Sequence, residues 1–153
     1  MSLPYDLDDV RRCPGMWFPS GDGKYFDSAA AYLMGIDAAC HGEFLEGFHE
    51  WLVPTLTCGD NLAWTELILL IAFPQAKNPR GSLRNSFNDV AALECLFCCL
   101  EQFLATKEQE QGLRSIQQRY QDWLKSRDWY DPSLDYLEAR KPYGPGSGRM
   151  RPG

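Results

Sequence analysis

Residues 62–73 read LAWTELILLIAF, and of these twelve only Thr65 and Glu66 are polar. A membrane span needs about 18 or more apolar residues, so the run is too short to cross a bilayer as a helix. Asp60 or Asn61 stands before it as an N-cap and Pro74 follows it at once, which are start and stop signals for a helix. We therefore expect a central buried helix. A helix that is apolar on all sides must be covered on several of them, which calls for amphipathic helices before and after it.

The flanking sequence supplies such helices. Residues 28–40, with Asp27 as the cap, put Phe26, Ala30, Leu33, Asp37 and Cys40 on one face at three- and four-residue steps. Asp37 is a carboxylate among apolar neighbours and needs donors, so it is read as a structural acceptor, with a functional group as the alternative. Residues 43–53 form a second helix, with Phe44, Leu45, Phe48, Leu52 and the following Leu56 inward. Its outward face gathers Glu43, Glu46 and Glu50 into a negative stripe. A solvated face is the ordinary explanation of such a stripe, and a docking site for a basic partner is the sharper one.

After the Pro- and Gly-containing loop at 74–81, residues 82–105 hold Leu83, Phe87, Val90, Leu93, Phe97, Leu100 and Leu104 at helical spacing, a stripe about 35 Å long at ~1.5 Å per residue. The polar run KEQEQG, 107–112, leads to a helix over 113–125 with Leu113, Ile116, Tyr120, Trp123 and Leu124 inward. A helical turn over 133–139 is expected to pack Leu134 and Leu137 on the bundle. The expected fold class is thus all-α, a single-domain bundle of five to six helices around a central apolar helix. Residues 1–24 form a loop or strap, 25–139 the helical domain and 140–153 a flexible basic tail. No repeat appears and no stretch argues for strands.

The net charge is −6, and the last fourteen residues carry Arg140, Lys141, Arg149 and Arg151 with no acid. The body therefore holds 21 acids against 11 bases, a net of −10. That balance disfavours contact with a phosphate backbone and favours solubility or a basic partner. Six cysteines, at 13, 40, 58, 95, 98 and 99, include an adjacent pair that does not suit a disulfide framework. With no apolar signal-like region in the first residues, free thiols in a reducing cytoplasm are expected.

Candidate chemistry is sparse. Cys95, Cys98 and Cys99 share a helix side, and Cys40, His41 and His49 lie elsewhere, but structural zinc sites draw paired C-x2-C knuckles and no second pair exists. Glu46-x2-His49 has the spacing of a di-iron ligand pair, a motif that must occur twice in a bundle and here occurs once. No nucleophile motif of the G-x-S-x-G kind is present. No catalytic residue, metal or cofactor is expected, and the chain is not read as an enzyme. The candidate contact residues are instead Glu43, Glu46, His49 and Glu50, with Asp60 and Trp64 at the neighbouring turn. A Trp beside acids suits an interface.

Four clusters carry a family resemblance: Tyr32-x2-Gly35-x-Asp37; Gly42-x2-Leu45-x-Gly47-Phe48-x2-Trp51-Leu52; Gly59-x-Asn61-Leu62-x-Trp64; and Ala72-Phe73-Pro74. Over residues 32–74 the chain resembles small all-helical bacterial proteins encoded beside secreted toxins, among them immunity proteins of polymorphic-toxin, contact-dependent inhibition and type VI secretion systems. The later helices match that pattern only in general. The resemblance implies a cytoplasmic protein that binds one cognate toxin domain and blocks its active site, without contact to nucleic acid or membrane. The alternatives are a small helical adaptor with some other partner and, further off, a metal-dependent enzyme.

Overall fold

The computed structural model describes residues 5–19 and 23–134. Those residues are all-helical, with no strand among them. The helices are α1 (Tyr5–Arg12), α2 (Pro14–Trp17), α3 (Phe26–Ala39), α4 (Phe48–Leu56), α5 (Trp64–Ala72), α6 (Pro79–Ser82), α7 (Ser86–Lys107) and α8 (Gly112–Lys125). They make one domain around one core. Residues 135–153, including Leu137 and the basic tail, lie outside the described part.

Helix α5 is the apolar run at 62–73. It buries Thr65, Leu67, Ile68 and Leu69 and is covered by α4, α6 and α7. Neither Asp60 nor Asn61 caps it. The N-cap position is Ala63, in extended conformation and with no side-chain bond to the helix, so the cap expected from sequence sits too early. Helix α7 meets α1, α3, α4, α5 and α8, and its 22 residues form the rail on which the others lean. Asn85 opens it by accepting from Phe87 N (2.9 Å) and Asn88 N (3.3 Å) through Oδ1. Across the middle of the bundle Phe48 stands 5.0 Å from the Phe103 ring and 5.6 Å from that of Trp64, ring centre to ring centre. Each such buried side chain contributes about 1.5–3 kcal/mol relative to exposure.

Four local expectations are corrected. Residues 5–17 are mostly helical, where a strap was expected. Among its described side chains helix α1 buries Leu7 and Val10, too short a stripe to show a period, but its first-turn Asp6 and Asp8 and last-turn Arg11 and Arg12 suit the helix dipole. Asp27 is not the cap of α3. That work falls to Asp89 of α7, while the exposed Asp27 accepts from Arg80 Nη1 at 3.0 Å. Phe87 and Val90 are not in the core stripe of α7 but are 84% and 56% exposed. With Asp89 turned inward, positions 92, 93, 96, 97, 99, 100 and 103 follow it into the core and the two large apolar residues are left outside. Finally, Leu134 is 57% exposed and does not pack on the bundle as expected, while positions 135–139 of the expected helical turn lie outside the described residues. The last helix, expected over 113–125, is α8 with Ile116, Tyr120, Trp123 and Leu124 buried.

Candidate functional site at the acidic end of the bundle

The second helix does not begin at Glu43. Gly47 has φ 86°, in the left-handed region, so the chain turns through residues 40–47 and becomes helical only at Phe48. Glu43 and Glu46 therefore ride on this turn, and Glu50 alone is on α4, in its first turn. The single helical stripe of three glutamates expected from the sequence does not exist.

The turn is nonetheless held firmly. Asp37, at the end of α3, accepts from Leu45 N through Oδ1 at 2.7 Å, the structural role expected of it. Lys107, the last residue of α7, donates through Nζ to the carbonyl of Glu43 and to that of Phe44 (3.4 Å), and lies 5.6 Å over the Phe103 ring. Gly47 is packed so closely that an added Cβ would stand 2.8 Å from Leu113 Cδ1. The turn is thus fastened onto the junction between α7 and α8.

That junction carries two further exposed carboxylates, Glu108 and Glu110. Together with the exposed Glu43 and Glu46 and the half-buried Glu50, they bring five acids to one end of the bundle. Among the described residues the ion pairs involve other acids, Asp9, Asp27, Glu66, Glu94 and Glu101, so none of these five carboxylates is paired, and Lys107 at the turn offsets only part of their charge. Glu108 and Glu110 were missed in the sequence because they sit in a linker. The signal was the acidic KEQEQG run, whose position at the same end as the 40–47 turn only the packing reveals.

The other predicted contact residues are placed differently. His49 is half-buried, with Nε2 3.0 Å from the carbonyl of Leu62 and its ring edge-on to Tyr120 at 6.3 Å, so it ties α4 to the loop before α5. Trp64 is half-buried against Phe48. Asp60 is half-buried in the turn before α5. These three border the acidic group rather than extend it.

The cysteines and the second charged cluster suit no reaction centre. Cys95 Sγ faces the carbonyl of Ile68 at 3.8 Å, and among the described residues no three His, Cys, Asp or Glu side chains are arranged to hold a metal ion. The hydrogen bond from Cys99 favours the Cys95 thiolate, whereas the same bond and burial push the Cys99 thiol up. On the other side of α7, Arg11 pairs with Glu94 and reaches Glu101 at 3.2 Å and Cys98 Sγ at 3.4 Å. That bond holds the Glu94 carboxyl below its ordinary range. Acid and base nearly cancel there, and the shallow groove along Asp8, Arg11, Arg12 and Glu94 offers little net field.

Among the described residues no helix is long and apolar enough to cross a membrane. Comparison with family models, curated proteins and solved structures finds no match for this chain.

Proposed function

We propose that this protein is an immunity protein, which binds a cognate bacterial toxin domain and occludes its active site with the acidic end of the bundle. The observation that carries the proposal is the group Glu43, Glu46, Glu50, Glu108 and Glu110, none of them in an ion pair among the described residues, of which Glu43 and Glu46 ride on a turn that Lys107, Asp37 and Gly47 fix in place. A toxin that cuts nucleic acid or uses nucleotides needs a cationic site, and a negative surface complements it. Complementary potentials raise encounter rates to ~10⁸ M⁻¹s⁻¹ or more at low salt and reject wrong partners. A rigid mount limits the entropy lost on binding. The same charge argues against nucleic acid as the partner. Action inside the bacterial cytoplasm, in competition between neighbouring cells, fits the residue pattern at 32–74.

The test is co-expression with the product of the neighbouring gene, scoring growth rescue and co-purification. Glu46→Lys/Glu50→Lys is expected to slow association at low salt and weaken rescue. Unchanged kinetics in that double variant would remove the acidic end as the contact site.

A further inference from the structure

We draw no further inference here: the strongest candidate, the exposed and uncharged face of α3 at Ala31, Met34, Gly35 and Ala38, is an unpartnered helix face, and nothing in the structure shows what covers it.

Discussion

The Asp89 carboxylate on α7 accepts the backbone N–H groups of Tyr25 (2.6 Å) and Phe26 (3.3 Å), which open α3 more than sixty residues earlier in the chain. A helix N-terminus leaves its first N–H groups unpaired, and here a buried side chain from another helix supplies the missing acceptor. The bond joins two helices and also fixes the rotation of α7, so it decides which of that helix's residues reach the core.

Removing the acceptor leaves one buried and one part-buried donor unmatched. Asp89→Ala is expected to cost about 2–3 kcal/mol, read as a lower urea midpoint with unchanged slope. Asp89→Asn keeps an acceptor oxygen but loses the charge and is expected to cost about half as much. An alanine variant as stable as the wild type would show that α3 starts without this cap.

Two glycines stand where no side chain fits. An added Cβ at Gly112 would be driven into the carbonyl oxygens of Thr106 and Lys107, which are backbone and cannot swing away. Gly112→Ala is expected to destabilise the fold by about 2–3 kcal/mol. Gly47→Ala combines left-handed backbone at φ 86° with contact against the movable end of Leu113, and about 1–2 kcal/mol is expected. Thermal unfolding of both variants checks the order.

The same residues show what the sequence makes legible. The all-α class, the burial of Leu67, Ile68 and Leu69 within the 62–73 run and the inner face of α8 follow from apolar content and spacing, the first of these helices being apolar nearly all round and the last having a long stripe on one side. Helix α1 offers the short pair Leu7 and Val10, so its helicity shows in charge placement rather than in a period. The start of α4 was misplaced because Glu43, Phe44, Leu45 and Glu46 have good helical composition, and only the left-handed Gly47 denies it. Phe87 and Val90 were assigned to the core because a stripe count treats aspartate as outward by default, whereas a carboxylate offered two backbone donors is worth burying. The acidic end was half visible. Glu43, Glu46 and Glu50 are close in sequence, but their company with Glu108 and Glu110 depends on a lysine bonding to backbone carbonyls, which no spacing encodes.

Lys107 gives a test of that mount that leaves every carboxylate in place. Lys107→Met keeps an apolar stem near Phe103 but removes the donor to the Glu43 and Phe44 carbonyls. The variant also carries one more net negative charge, which by itself favours association with a basic partner. A slower or weaker association, measured by stopped-flow or calorimetry, therefore reports loss of positioning. Faster association would show that charge alone governs binding.

Thiol reactivity should divide by position. Cys13, Cys40 and Cys58 are exposed, whereas Cys99 is buried and its thiol is pushed up by the bond with Cys95 and by burial. Since the thiolate is the reacting form, a mild alkylating agent at pH 8 is expected to label the three exposed cysteines first and Cys99 last in the folded protein. Peptide mass mapping over time reads the order, and early labelling of Cys99 would contradict the packing of α5 against α7.

The Arg11–Glu94 pair predicts a pH dependence of defined sign. The bond with Arg11 lowers the Glu94 carboxyl below its ordinary value in the folded chain, while Arg11 stays charged throughout. A depressed carboxyl pKa adds stability that is complete above the unfolded value, about 4.3, and is lost as pH falls through the folded one. With the Arg11 and Glu94 side chains 26% and 54% exposed, solvent screens the pair and its contribution stays below about 1 kcal/mol. Arg11→Gln is expected to be less stable than wild type by a constant, small margin between pH 6 and 8, with the two curves converging below about pH 4. The margin is also expected to shrink at about 1 M salt, where the screening length is ~3 Å. Urea titrations across that range read it directly, and a margin that grows toward acid pH would mean that Arg11 supports α1 by packing rather than through the carboxylate.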